Sequence, residues 1–240
     1  MSNSILVKPY QKIPIEENGE PLVPIPLSLF AVESPHPYQK LGADYQGKSP
    51  YYIRQGVLQA LKKAQTELQQ QYPGWKIQIF DAYRPVAVQQ FMVDYTFATV
   101  LQQKGLKETE LSPQQQQDIW QQVYQIWAIP SHNPSTPPPH STGAALDITL
   151  VNEKGNTIDM GGEIDELSDR SHPNYYAKST IAQEQSYHHN RELLHTVMRG
   201  AGFRRHPGEW WHFSLGDQMW AWLYNQEQPK QTIIAYYGRV

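Results

Sequence analysis

The chain has 240 residues, a formal net charge of −3 and no cysteine. This length can bury the core of one α+β domain with extended termini, the fold class that we expect. Interspersed charges exclude a basic patch for nucleic acid, and the lack of cysteine excludes disulfides, thiolate metal ligands and a cysteine nucleophile. Small uncharged or zwitterionic partners fit this composition better.

No segment has the composition of a membrane span or a targeting signal. None approaches the roughly 18 consecutive apolar residues that a span needs. Met1–Tyr10 lacks a basic region followed by an apolar stretch. The sequence therefore favours a cytoplasmic protein, and a periplasmic protein trimmed from a precursor would have the same sequence.

Proline dominates the start of the chain. Eight of the first 50 residues are proline, which removes backbone donors and favours extended or turn geometry over helix. We expect residues 1–50 to form an arm that packs on a domain made of residues 51–240.

Hydrophobic periodicity predicts three helices and one strand in the middle of the chain. Helices are expected over 51–71 and 86–104, and a short half-buried strand over 75–80. Ser112-Pro113 has the sequence of a further helix start. The apolar positions of the last two helices are Val88, Phe91, Met92, Tyr95, Ile119, Val123 and Ile126.

A loop and a strand follow, and each presents a polar residue. Five prolines within 130–139 exclude helix and central strand, so this segment is a loop that delivers His140. In the next strand Asp147 alternates with the apolar Leu146 and Ile148. Asp147 therefore points away from the core side of the strand.

His140, Asp147 and His212 have the composition of a catalytic zinc site. Such a site holds three protein ligands drawn from His and Asp/Glu and keeps one position open for water. Taken singly, each of these residues is more often an ordinary core or surface residue. The coincidence of all three with a nearby second carboxylate indicates a metallopeptidase.

Glu209 is that second carboxylate. Glu209 and His212 would lie on opposite faces of a regular strand. Both can face one site if Glu209 belongs to the Pro207-Gly208 turn and the strand starts at Trp210. The alternative is an aromatic core strand with a solvated glutamate at its start.

Arg84 lies between a strand and a helix, where its side chain can reach into a cleft. An always-charged planar donor there could stabilise an oxyanion. The alternative is a structural pair with Asp81. No role is assigned to the remaining histidines, which are His36, His132, His172, His188, His189, His195 and His206.

Five segments together resemble the zinc D-alanyl-D-alanine dipeptidases of the VanX type, peptidase family M15. The likeness runs from about residue 50 to residue 215, and the combination is far more specific than any one motif. The segments are FDAYRP (80–85), HSTGAALDITL (140–150), MGGEID (160–165), SDRSH (168–172) and EWWH (209–212).

The resemblance implies a fold, a reaction and a role for each site residue. It implies an α+β fold with a central antiparallel sheet flanked by helices, shared with D,D-carboxypeptidases and the hedgehog signalling domain. It implies one zinc ion on His140, Asp147 and His212, and a D,D-dipeptide substrate hydrolysed to free D-amino acids. Glu209 would be the general base on water, Arg84 would stabilise the oxyanion, and Asp165 would bind the substrate ammonium.

One position departs from the wider group, which usually has Ser two residues before the first zinc histidine. Here that position is Pro138, which has no hydroxyl. The resemblance therefore predicts the zinc ligands more directly than the dipeptide preference. Two alternatives stay open: a D,D-carboxypeptidase acting on peptidoglycan peptides, and a non-catalytic zinc module of the hedgehog-like fold.

Overall fold

A five-stranded central sheet organises the protein in a computed structural model that describes residues 8–240. The strands of the fold are β1 (Leu22–Pro24), β2 (Ala31–Val32), β3 (Tyr52–Arg54), β4 (Lys76–Asp81), β5 (Ala145–Val151), β6 (Arg204–Arg205) and β7 (His212–Ser214). The order in the central sheet is β2-β4-β5-β7-β6. β2 runs parallel to β4, and the other neighbours are antiparallel. β1 and β3 form a separate antiparallel pair.

Six α-helices accompany these strands within residues 8–240. They are α1 (Pro37–Lys40), α2 (Gln55–Gln71), α3 (Val86–Lys104), α4 (Pro113–Val123), α5 (Ala182–Gly200) and α6 (Gln218–Glu227). None of the helices in this part of the chain is long and apolar enough to cross a membrane. The expected α+β fold with a mainly antiparallel central sheet is confirmed.

The two faces of the central sheet pack against different layers. On one face, Leu146 and Ile148 of β5 join a core that includes residues of α2 and α5. A second cluster gathers α3 and α4 around Tyr38 and Trp127. Ala145 is buried and lies two positions before Asp147, yet it belongs to neither apolar cluster, so this side of β5 faces away from the core, as strand alternation predicts.

Some predicted elements differ from the observed ones at their ends. The helix expected from residue 51 begins at Gln55, because Tyr52–Arg54 pair with β1 instead. α3 has the predicted bounds, yet Tyr95 is 40% exposed rather than part of the buried side. Ser112 caps α4 as expected, but that helix ends at Val123, so Ile126 lies beyond it.

The proline-rich segment contributes to both sheets. β1 pairs with β3, and β2 forms one edge of the central sheet. Residues near 10 also meet residues near 220–235: Gln218 Nε2 donates to Ile13 O at 2.6 Å, and Ala235 N donates to Pro14 O at 3.0 Å. The boundary between arm and domain at residue 50 stays a prediction.

Candidate metal centre and active site

Strand register places three polar side chains in one row. Asp81 of β4 pairs with Asp147 of β5, and Asp147 pairs with His212 of β7. Residues paired across neighbouring strands project to the same face of a sheet. The row lies on the face opposite to the core that contains Leu146.

His140 reaches this row from a 3₁₀ turn just before β5. The turn spans Pro139–Thr142 and ends at Gly143, whose φ of 70° lies in the left-handed region. A Cβ at Gly143 would collide with the side chain of Leu22. Glycine is therefore needed here for both its backbone conformation and its small size.

The predicted ligands converge. One donor atom each from His140, Asp147 and His212 lies within 4.8 Å of the others, and all three residues are buried. His140 Nε2 and His212 Nδ1 are 3.2 Å apart. Asp147 Oδ2 lies 3.2 Å from His140 Nε2, and Asp147 Oδ1 lies 3.1 Å from His212 Nδ1.

The outer nitrogens of both rings have their own partners, which fixes the orientation of the inner ones. His140 Nδ1 lies 2.8 Å from Ala82 O, and His212 Nε2 lies 3.3 Å from Ser214 Oγ. A backbone carbonyl can only accept, so Nδ1 of His140 carries the proton and Nε2 presents a lone pair. Two imidazole nitrogens and a carboxylate, held this way by outer partners, fit a zinc ion.

A buried relay extends from His212 to the start of α6. The Ser214 hydroxyl donates to Asp217 Oδ2 at 2.9 Å, which leaves its oxygen to accept from His212 Nε2. Asp217 also caps α6, since its Oδ1 accepts from Trp220 N at 2.8 Å. Asp217 therefore sets the tautomer of His212 through Ser214.

We expect Asp217→Asn to weaken zinc binding roughly 10- to 100-fold, the range typical of lost outer-sphere partners. The amide can keep the helix cap through its oxygen, but its NH₂ would donate to Ser214. The Ser214 hydroxyl would then turn towards His212 Nε2 and place the proton on the metal-facing Nδ1. Chelator competition measures the zinc affinity, with Asp44→Asn in an exposed turn as the control. Unchanged affinity would show that the relay does not orient His212.

Arg84 is an integral part of the ligand environment. Its NH2 donates to Asp147 Oδ2 at 3.0 Å, and its Nε donates to Asp81 Oδ2 at 2.9 Å. The structural pair with Asp81 is present, and the role of Arg84 in stabilising an oxyanion stays a prediction. Burial opposes ionisation of Asp147, yet His140 and His212 outweigh burial and hold the pKa of Asp147 well below its usual range.

Glu209 lies beside the ligand group without belonging to it. Its Oε2 is 3.8 Å from His212 Nδ1, and its Oε1 is 3.4 Å from His206 Nδ1. The strand is assigned from His212 rather than from Trp210, so Glu209 precedes it, as the turn interpretation requires. Burial and the charge of Asp147 raise the pKa of Glu209 well above its ordinary value, which suits proton transfer.

Asp165 faces the same cleft. The Tyr38 hydroxyl donates to Asp165 Oδ2 at 2.8 Å and accepts from Arg84 NH2 at 3.0 Å. Burial, followed by the charge of Asp147, raises the pKa of Asp165 to about 7. A cation next to Asp165 would relieve both effects. One cleft is lined by the three predicted ligands together with Glu209, Arg84 and Asp165.

Some residues around the site escaped the sequence analysis. His36 Nε2 lies 3.0 Å from Asp81 Oδ1, and His206 borders Glu209 in the cleft, although neither histidine was assigned a role. Tyr38 links Arg84 to Asp165. No local spacing connects these residues with the motifs, since they approach only through the fold. The one local signal is that His206 precedes the Pro207-Gly208 turn.

Comparison with known proteins identifies the family. A family model described as D-Ala-D-Ala dipeptidase matches residues 32–233. The D-alanyl-D-alanine dipeptidase of Synechocystis sp. is 57% identical over 246 aligned residues, covering 100% of both chains. That of Enterococcus faecium is 27% identical and covers 70% of this chain and 73% of its own. A solved structure of the LdcB LD-carboxypeptidase covers 88% of this chain and 75% of its own, with 15% identity and a TM-score of 0.44. The chain belongs to the D-Ala-D-Ala dipeptidase family.

Proposed function

We propose that the protein hydrolyses D-alanyl-D-alanine to free D-alanine in a zinc-dependent reaction. The observation that carries the proposal is the position of Glu209. Its carboxylate lies 3.8 Å from the metal-facing nitrogen of His212, yet outside the three-ligand group. A carboxylate so placed is free to exchange protons beside the metal. The family membership supports the dipeptide as substrate.

His140, Asp147 and His212 would hold the zinc ion. When bound, zinc would supply a Lewis acid that polarises the scissile carbonyl and makes water more acidic. Glu209 takes a proton from the attacking water on a carboxylate oxygen and passes it to the nitrogen of the leaving amine.

The remaining residues orient the dipeptide and stabilise its charges. The guanidinium of Arg84, held by Asp81 and Asp147, donates to the oxyanion that develops on the substrate carbonyl. The carboxylate of Asp165, held by Tyr38, accepts from the substrate ammonium. A peptide without a free amine would leave the buried carboxylate of Asp165 with the Tyr38 hydroxyl but without a cationic partner, which is costly.

A panel of dipeptides tests this proposal. We expect hydrolysis of D-Ala-D-Ala, none of L-Ala-L-Ala, and a value of kcat/KM roughly 10- to 100-fold lower for N-acetyl-D-Ala-D-Ala, because the acetyl group removes a charge-assisted hydrogen bond. The measurement is release of D-alanine by zinc-reconstituted protein. Protein stripped by a chelator is the control, and it should regain activity when zinc is restored.

Two other outcomes would replace the proposal. Equal or faster hydrolysis of the acetylated peptide would favour a D,D-carboxypeptidase that acts on longer peptidoglycan peptides. Stoichiometric zinc binding without hydrolysis of any D,D-peptide would favour a non-catalytic zinc module.

A further inference from the structure

An arginine and a lysine, Arg84 and Lys8, line the cleft. Most N–H groups of the Arg84 guanidinium already donate hydrogen bonds within the protein. It donates to Asp81, Gln89, Tyr38 and Asp147 at distances of 2.9–3.0 Å. These bonds hold the guanidinium beside the ligand group, so it is not available to bind a distant group of the substrate.

The ammonium of Lys8 makes fewer hydrogen bonds than the guanidinium of Arg84. Lys8 is half-buried, and its Nζ donates to Tyr124 O at 3.1 Å. No carboxylate oxygen within residues 8–240 lies within 4.0 Å of this nitrogen. An ammonium has three N–H donors, so two of them can still be directed into the cleft.

Lys8 and Asp165 bring opposite charges into the cleft and have different partners. Asp165 bonds to Tyr38, which contacts Arg84, whereas Lys8 bonds to the backbone of Tyr124. Glu209 is influenced by both side chains: the charge of Asp165 adds to the rise in its pKa, and the charge of Lys8 opposes that rise. The cleft therefore holds one acidic and one basic side chain with separate attachments to the protein.

We infer that Lys8 binds the terminal carboxylate of the substrate, while Asp165 binds its ammonium. This inference rests on the proposed function and deepens it. A free dipeptide is a zwitterion whose charged ends flank the peptide bond, and this arrangement of charges matches it. The match makes the site selective for a substrate with both ends free.

Two uncharged side chains in the same wall have donors that are already engaged. Gln89 Nε2 donates one of its two N–H groups to Ala128 O at 2.8 Å, and Trp127 Nε1 donates to Thr96 Oγ1 at 2.9 Å. Pro139, also in the wall, has no side-chain donor. Burial moreover lowers the pKa of Lys8, and a partly desolvated ammonium gains from a carboxylate partner.

The test compares D-Ala-D-Ala with its C-terminal amide, which keeps the shape of the substrate and removes the negative charge. We expect Lys8→Met to raise KM for D-Ala-D-Ala roughly 10- to 100-fold, the equivalent of one charge-assisted hydrogen bond, and to leave kcat nearly unchanged. KM for the amide should stay close to its value in the parent protein. Lys8→Arg should restore most of the affinity for the acid.

Lys12→Met is the matched control. Lys12 ends the same short 3₁₀ turn, Pro9–Lys12, and is exposed outside the cleft. Lys12→Met removes one positive charge from the same segment as Lys8→Met does. KM and kcat for D-Ala-D-Ala and for its amide should equal those of the parent protein. A thermal melt of each variant confirms that the segment is folded.

Calorimetry with metal-stripped protein gives a second readout that does not depend on turnover. The parent protein should bind D-Ala-D-Ala more tightly than the amide, and Lys8→Met should lose this difference. Loss of the difference without hydrolysis by the parent would support the role of Lys8 and overturn the proposed function. Normal hydrolysis by Lys8→Met, with the same preference for the acid as the parent, would overturn the role of Lys8 alone.

Discussion

Replacing Glu209 with Gln is expected to lower kcat for D-Ala-D-Ala by roughly 10²–10⁴ while zinc stays bound, because a positioned acid/base contributes a factor of this size. Glutamine preserves the shape of the side chain but accepts no proton from water. The three ligands are untouched, since Glu209 lies outside their group. Zinc content by metal analysis and kcat by D-alanine release measure the two effects separately.

The same variant is expected to be at least as stable as the parent protein at neutral pH. Burial raises the pKa of Glu209 above its ordinary value. The folded state therefore holds this proton more tightly than the unfolded chain, and stability falls as the pH rises from the ordinary value towards the raised one. The amide introduced by Glu209→Gln does not ionise, so this loss should disappear. Urea unfolding of metal-free protein across this pH range measures the difference.

Glu192→Gln is the control for both measurements. Glu192 of α5 pairs with Arg205 of β6 at 2.9 Å and does not line the cleft. It should leave kcat unchanged. Near-normal turnover by Glu209→Gln would contradict the assignment of the base, and loss of zinc would show that Glu209 supports the ligands instead.

Replacing Arg84 with Lys is expected to lower kcat by roughly 10²–10³, the effect of losing one preorganised oxyanion donor. Lysine retains the charge but cannot contact Asp81, Asp147 and the substrate with one planar group. Arg84→Met would in addition leave two buried carboxylates without their cation. Breaking such buried pairs costs about 3–5 kcal/mol of folding stability.

The two Arg84 variants together separate catalysis from stability. Steady-state kinetics gives kcat for the folded fraction, and urea unfolding gives the free energy of unfolding. Arg205→Lys is the control, since its side chain pairs with Glu192 away from the cleft. An Arg84→Lys variant with parental kcat and reduced stability would restrict Arg84 to a structural role.

The convergence of His140, Asp147 and His212 was predictable because two kinds of local information agree. Strand alternation directs Asp147 away from the core. The Pro207-Gly208 turn places Glu209 before the strand, so that Glu209 and His212 can face the same site. Register then completes the arrangement by pairing Asp147 with His212. The pairing partner itself is not encoded within either short segment.

The surroundings of the site depended on long-range packing that no periodicity describes. Tyr38 bonds to Asp165 across 127 residues, and Lys8 bonds to Tyr124 across 116 residues. The start of α2 illustrates the same limit. Helical spacing runs through residues 51–54, yet pairing with β1 turns Tyr52–Arg54 into a strand. Tertiary contacts thus decide between two locally acceptable structures.

The contacts between residues near 10 and residues near 220–235 bear on the order of folding. Gln218 reaches back to Ile13, and Ala235 to Pro14, so this wall of the cleft joins segments more than 200 positions apart. Segments so far apart in sequence meet slowly, because closing a large loop costs conformational entropy before the new contacts can offset that cost. We therefore expect a folding chain to bring together His140, Asp147 and His212, which come from β5, β7 and the turn before β5, before it gains the wall that carries Lys8. A partly folded chain would then hold the proposed metal site before it can select a substrate.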